Sequence, residues 1–195
     1  NNVPYGGFAN ANKESKTQKL LRWVRGNFFI PDARCYWIQP SVRFLTSYLK
    51  EHKVDAIVST GPPHSMHLIA MKVASIHRIP WLADFRDPWT NIDYYKDLML
   101  SRKADKKHHE LEKQVISTAT RVVVVGNTMK EEFESAYNRK VDVITNGFDP
   151  DDFPQTGKFR KTVTMTAIGL FAHGRLTPPA FKRHEKERNG SWRHA

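Results

Sequence analysis

One cysteine in 195 residues, Cys35, excludes an internal disulfide and a thiolate metal cluster. A reducing compartment, the cytoplasm, is therefore the expected setting. No run approaches the roughly 20 apolar residues that a membrane-spanning helix needs, and the first residues carry no apolar signal core. The chain opens on Asn1 without a Met and is read as a fragment or trimmed chain. A phosphate-binding loop ending in Gly-Lys-Ser or Gly-Lys-Thr is absent, which excludes the Walker type of nucleotide site. Acidic side chains are in deficit, 20 against 31 Lys plus Arg, for a net charge of +11. That balance invites an anionic partner such as phosphate, a lipid headgroup or nucleic acid.

What is present argues for a folded chain. Hydrophobic residues make up 39% and aromatics 11%, more than a chain unable to build a core would carry. The charge is uneven. Residues 151–195 hold nine basic and four acidic side chains, net +5, and residues 1–150 the remaining +6.

Short Val- and Ile-rich segments alternate with longer ones of helical period. This is the pattern of βαβ units and a parallel sheet, so the fold class is α/β. A first helix is expected from about Ser15 to Arg25, with Leu20, Leu21 and Val24 on its buried side and Gly26 as its C-terminal cap. A second begins at Pro40, with Val42, Leu45, Tyr48 and Leu49 inward. Strands are expected at Asp55–Ser59, Pro80–Asp84, Arg121–Val125 and Val141–Ile144. Helices follow the first strand (Met66, Ile69, Ala70, Val73 and Ile76), fill 102–118 (Leu111, Val115 and Ile116), and start at a Thr128–Glu131 capping box with Met129 and Phe133 inward. Asp149-Pro-Asp-Asp-Phe-Pro154 reads as a linker. The expected organisation is a domain over 1–150, a linker over 151–162, and over 163–195 the start of a second domain or an irregular basic tail.

In open α/β sheets, ligands bind beyond the carboxyl ends of the parallel strands. The loops after the strands are thus the candidate chemistry. Thr60-Gly-Pro-Pro-His-Ser65 offers Gly61 for close backbone approach, two stiffening prolines, and His64 with Ser65 at a helix start, where anions and polar oxygens are attracted. The plain alternative is that the prolines fix the turn and His64 caps the helix. Asp84, Arg86 and Asp87 crowd the next loop. Arg86 can hold one carboxylate ionised while the other accepts hydrogen bonds from a polyol, or the pair can simply pin the loop. Asn127 after the third strand and Asn146-Gly147 after the fourth complete the rim, with ordinary turn chemistry as their plain reading. His67, His108 and His109 lie within helices as surface or packing residues. The basic residues Lys16, Lys19, Arg22 and Arg25, with Trp23 nearby, admit contact with an anionic membrane. Charge and length alone favour a solvated helix face.

Taken together, Phe28-Phe-Ile-Pro-Asp-Ala-Arg34, Gly61-Pro-Pro-His-Ser65, Pro80-Trp-Leu-Ala-Asp-Phe-Arg-Asp-Pro-Trp-Thr90 and Val143-Ile-Thr-Asn-Gly-Phe-Asp149 resemble, in order and spacing, glycosyltransferase family 4, specifically its bacterial members. The resemblance spans roughly Leu20 to Phe153. It implies a GT-B architecture of two Rossmann-like domains facing across a cleft, with acceptor on the N-terminal side and a nucleotide-sugar donor on the C-terminal side. It further implies transfer with retention, no metal, no cofactor beyond the nucleotide-sugar co-substrate, and a glycan or lipid-linked acceptor. His64 would then hydrogen-bond the transferred sugar near the reaction centre, with Gly61 and Ser65 beside it. Asp84, Arg86 and Asp87 would line the acceptor side, and Asn146-Gly147 would end the domain at the interdomain crossing. Ala167-Ile-Gly-Leu-Phe-Ala-His-Gly-Arg175 resembles the first strand and loop of the donor domain, which makes Arg175 a candidate for the donor diphosphate. The sequence departs from the family at both ends: no glycine-rich loop precedes the motifs, and the residues that hold the nucleotide do not follow Arg175. The expectation is an incomplete chain that transfers little or no sugar alone, located in the cytoplasm or at the inner face of the membrane. Two other classes remain open: a non-enzymatic basic module for nucleic acid or anionic membrane, and a metal-dependent hydrolase using Asp84, Asp87 and His64.

Overall fold

The computed structural model of the chain describes residues 16–149. The expected linker, the segment 163–195 and Arg175 lie outside them. Four parallel strands form one sheet in the order β1-β2-β3-β4: β1 Ile57–Gly61, β2 Trp81–Phe85, β3 Arg121–Val124 and β4 Asp142–Val143. Ile57 pairs with Trp81, Leu82 with Arg121, and Val123 with Asp142. Each connection between these strands contains a helix, as parallel pairing requires. The helices are α1 Lys16–Phe28, α2 Ile38–Glu51, α3 Ser65–His77, α4 Arg102–Thr118 and α5 Asn127–Tyr137. The α/β reading with a parallel, Rossmann-like sheet is thereby established.

Strand alternation decides which side chains make the core. Ser59, Gly61, Trp81, Ala83, Phe85, Val122 and Val124 share one face in register. Ser59, Trp81, Ala83, Phe85, Val122 and Val124 are all buried there. Phe85 meets His67 of α3 at 4.4 Å and Phe133 of α5 edge-on at 5.2 Å, so both helices cover that face. α2 packs outside α3, and Val115 and Ile116 of α4 complete the core. On the other face Val58 is exposed.

Several local expectations need correction. β1 starts two residues later than expected and runs to Gly61, because pairing with β2 continues to Gly61–Phe85. Gly26 does not end α1; it is buried inside the helix, where a Cβ would come within 2.7 Å of the Leu98 carbonyl oxygen. It is a contact point, not a cap. Pro40 lies in the first turn of α2, which begins at Ile38. In that helix Val42 is buried, while Tyr48 is exposed and stacks on His52. In α3, Ile69, Ala70 and Val73 are buried, whereas Met66 and Ile76 are exposed. The Thr128–Glu131 capping box does not form: Gly126 holds the cap position of α5 and no side chain caps it. Met129 and Phe133 are buried as expected. Leu20 and Leu21, expected on the buried side of α1, are 60% and 67% exposed.

Long-range hydrogen bonds fix the ends of the elements. The last carbonyls of a helix lack partners and carry the negative end of its dipole. At α4 the Arg139 guanidinium supplies both needs, donating to the carbonyls of Ile116 (2.6 Å), Ala119 and Thr120 (3.2 Å). α3 and α5 end on Arg78 and Asn138 in the left-handed conformation, φ 56° and 48°.

Candidate active site

The loop after β1 carries two cis peptides, Gly61–Pro62 and Pro62–Pro63, and delivers His64 to the N-terminus of α3. His64 holds the N-cap position of α3, as its plain reading expects, but its imidazole makes no capping hydrogen bond. The cap comes from far upstream: Asp32 Oδ2 accepts from the Ser65 amide at 2.7 Å, and Oδ1 from the Arg34 amide at 2.8 Å. A carboxylate at this end meets both the orphan amides and the positive dipole. Ser65 is itself buried, with its amide engaged by Asp32.

His64 is only 9% exposed and lies flat on Trp89, with ring centroids 4.7 Å apart and planes 2° from parallel. Burial lowers its pKa to about 4; Asp32 opposes the shift and His108 adds to it. The side chain is therefore neutral at pH 7, and its buried Nδ1 has no hydrogen-bond partner. A neutral imidazole is a hydrogen-bonding group, not a counter-ion for phosphate.

Behind it, His67 is fully buried, and burial, then the neighbouring His64, lowers its pKa to about 3. The Trp81 indole donates to Ser59 Oγ at 2.8 Å, and Ser59 Oγ lies 2.8 Å from His67 Nδ1. Indole N–H can only donate, so Ser59 Oγ accepts from Trp81 and joins it to His67 through one buried oxygen. The other ring nitrogen of His67, Nε2, is buried without a hydrogen-bond partner. That nitrogen abuts Gly61: a Cβ there would sit 2.5 Å from His67 Nε2 and 3.2 Å from His64 Nδ1. Gly61 thus makes room for two imidazoles of this same chain.

The second loop gathers the charged rim. Arg86 Nη1 lies 3.7 Å from Asp84 Oδ2, which also accepts from Thr60 Oγ1 at 3.3 Å. Arg86 Nη2 donates to Asn146 Oδ1, and the Arg86 amide donates to the Gly61 carbonyl at 2.9 Å. One arginine thereby ties the ends of β1 and β2 to the segment after β4. Asp84 Oδ1 is buried without a partner. Asp87 is exposed, and its charge acts on Tyr94, whose pKa is raised first by burial and then by Asp87. Asn127 and Gly147 are exposed, and Gly147 has open space where a side chain would go. Among the described residues no group of three or more His, Cys, Asp or Glu side chains could hold a metal ion. Asp84, Asp87 and His64 therefore do not form the ligand set that the hydrolase reading required.

A family model for glycosyltransferase family 4 matches residues 6–152 of the chain. The chain belongs to glycosyltransferase family 4. Comparison with curated proteins finds no match, and comparison with solved structures finds none. Membership makes glycosyl transfer the general chemistry, with a sugar donor and an acceptor as substrates, and the four-stranded sheet is that of a Rossmann-like GT-B domain. Among the described residues no helix is long and apolar enough to cross a membrane.

Sequence reasoning missed several residues that build this strand-end cluster. Asp32 and Trp89 stood inside quoted motifs, yet nothing in their spacing reveals a cap for α3 or a platform for His64. His108 is buried, and its Nδ1 accepts from the Trp89 indole at 3.1 Å. Glu112, 1% exposed, accepts from the Thr90 hydroxyl and from the Tyr137 hydroxyl at 2.9 Å. Its charge and hydrogen bond reinforce the burial that raises the Tyr137 pKa. A carboxylate in a polar helix such as α4 carries no sequence signal of burial.

Proposed function

We propose that this domain forms the acceptor side of a retaining, metal-independent transferase that moves a sugar from a nucleotide-sugar to a glycan or lipid-linked acceptor in a bacterial cytoplasm. The observation that carries the reading is His64: a neutral imidazole at the carboxyl end of β1, immobilised on Trp89. Such a group can donate or accept a hydrogen bond with a sugar hydroxyl without attracting a phosphate away from the donor side. We assign it the catalytic position, in contact with the transferred sugar. Around it, Asp84 and Asp87 accept hydrogen bonds from acceptor hydroxyls, with Arg86 paired to Asp84. Asn127, Asn146 and the main chain at Gly147 give the surrounding polar rim, and the main chains of Gly61 and Ser65, bonded to Arg86 and Asp32, hold its loop in place. Arg175 is assigned to the donor diphosphate.

Transfer needs donor phosphates and acceptor held together in one dry cleft. The groups described here lie at the carboxyl ends of the strands of one sheet, and we expect the 195-residue chain alone to turn over little donor. Binding is the direct test. Oligosaccharides and polyprenyl-linked sugars titrated against the chain, read by calorimetry, should show an affinity that falls about tenfold or more in His64→Ala, the loss of a positioned hydrogen bond. The His64→Gln variant, which keeps a neutral donor and acceptor, should retain part of it. Unchanged affinity in His64→Ala would remove the residue from the site.

A further inference from the structure

The segment that leaves β2 is gripped by one face of α4. Asp105, His108 and Glu112 follow at intervals of three and four, which aligns them along one stripe of that helix. Asp105 Oδ1 accepts from the Tyr95 hydroxyl at 3.0 Å. His108 Nδ1 accepts from the Trp89 indole at 3.1 Å, with the Tyr95 ring edge-on to the imidazole at 6.0 Å. Glu112 accepts from the Thr90 amide at 3.4 Å and from the Thr90 hydroxyl, and Tyr137 of α5 donates to the same carboxylate at 2.9 Å. Trp89, His108 and Glu112 are all buried. Polar groups taken this far out of water cost stability unless bonded, and apolar side chains of like volume at 108 and 112 would fill the space without that cost. What an apolar side chain cannot do is fix a direction. Indole N–H can only donate, so its bond to Nδ1 sets how the Trp89 ring lies. Glu112 meanwhile holds the next residue, Thr90, by main chain and side chain together. The ring so held is the one on which His64 lies, 4.7 Å away and 2° from parallel.

We propose that His108 and Glu112 are positioning residues of the transfer site: through Trp89 and Thr90 they hold the aromatic platform that keeps His64 in the orientation in which it meets the sugar. Both act through another side chain and not on the sugar itself. The inference rests on the reading of His64 as the sugar contact and adds to it the groups that aim the imidazole. Two features separate this arrangement from plain core packing. The contacts are directional hydrogen bonds from two consecutive residues, Trp89 and Thr90, to two side chains one helical turn apart. They also end on an imidazole whose Nδ1 is buried and unpartnered, so that what it can bond depends on where the ring points.

The test reads His64 in the free chain by histidine-resolved NMR, and then the binding of oligosaccharides and polyprenyl-linked sugars by calorimetry. His108→Leu keeps bulk and removes the acceptor; His108→Asn restores one, because its amide oxygen comes near the place of Nδ1. His108 itself helps to lower the His64 pKa, so the comparison of Leu with Asn, which both lack the imidazole, isolates the bond. In His108→Leu the His64 titration should rise from about 4 toward the ordinary 6.5, as water reaches a ring whose cover has loosened. Sugar affinity should fall about tenfold. His108→Asn should titrate lower than His108→Leu and recover most of the affinity. Thr90→Val deletes one hydroxyl and leaves α4 intact; it should move both readouts the same way, by about threefold in affinity, and it carries the test where His108→Leu does not fold. Equal His64 titrations and affinities in His108→Leu and His108→Asn, or no change of either readout in Thr90→Val, would overturn the proposal. Affinity unchanged in His64→Ala would overturn the reading of His64 and this inference with it. Affinity lost in His64→Ala but full in His108→Leu would overturn this inference alone.

Discussion

The strand-end rim and the outer face of α1 lie in one chain and use their side chains in opposite ways. At the rim, polar residues are buried among aromatics and kept neutral or paired: His64 on Trp89, His67 on Ser59, Asp84 beside Arg86, Glu112 between Thr90 and Tyr137. On α1, leucines and phenylalanine face solvent. The lesson is about where structure constrains substitution. A rim side chain is held by partners from other elements, and changing it unsettles the domain; Leu20, Leu21 and Phe28 of α1 are exposed, and changing them alters chiefly what the surface meets.

Acid should separate the two regions most strongly. His64 and His67 titrate near 6.5 when unfolded but near 4 and 3 when folded. Below about pH 6.5 the unfolded chain therefore binds more protons than the folded one, and stability falls as pH drops, by about 1.4 kcal/mol per unit for each histidine. The contribution is complete above that pH. Burial shifts His108 in the same direction. Urea unfolding followed from pH 7 to 4 should show this slope, and His67→Asn should reduce it; a flat profile would mean that the imidazoles are not buried together.

A methyl group is the next probe. Gly61→Ala forces a Cβ into the buried His67 ring, and overpacking of this kind costs about 1–3 kcal/mol. The chemical denaturation midpoint should move accordingly, whereas an alanine tolerated without loss would show that the loop has slack. At the small end, Leu21→Gln should change stability by less than about 0.5 kcal/mol, as is usual for a surface position. A larger loss would mean that α1 packs its outer face after all.

Much of the fold is written in local pattern. The helix over 102–118 is legible because Leu111, Val115 and Ile116 recur at helical spacing; the Ser101 side chain that caps it is a finding of the structure. β3 is legible as an unbroken apolar run whose Val122, Val123 and Val124 are all buried. The positions of His64, Asp84, Arg86 and Asn146 near strand ends follow from the same pattern. Their partners do not. Asp32 caps α3 from 33 residues away, and Glu112 collects hydroxyls from Thr90 and Tyr137. Such pairings exist only after the sheet has assembled. α1 is the instructive failure. Periodicity identifies its apolar stripe, but a stripe has the same spacing whether it meets a core or a surface, and the buried contact of Gly26 turned it outward.

The account rests on His64 as a neutral, immobilised hydrogen-bonding group beside the sugar. Histidine-resolved NMR of the 195-residue chain tests this directly, by titrating from pH 7 downward with and without the oligosaccharide that binds best. The account predicts that His64 stays uncharged until pH approaches about 4 and that its ring resonances shift when the sugar is added. A ring that protonates near 6.5 and does not respond to any sugar would contradict it.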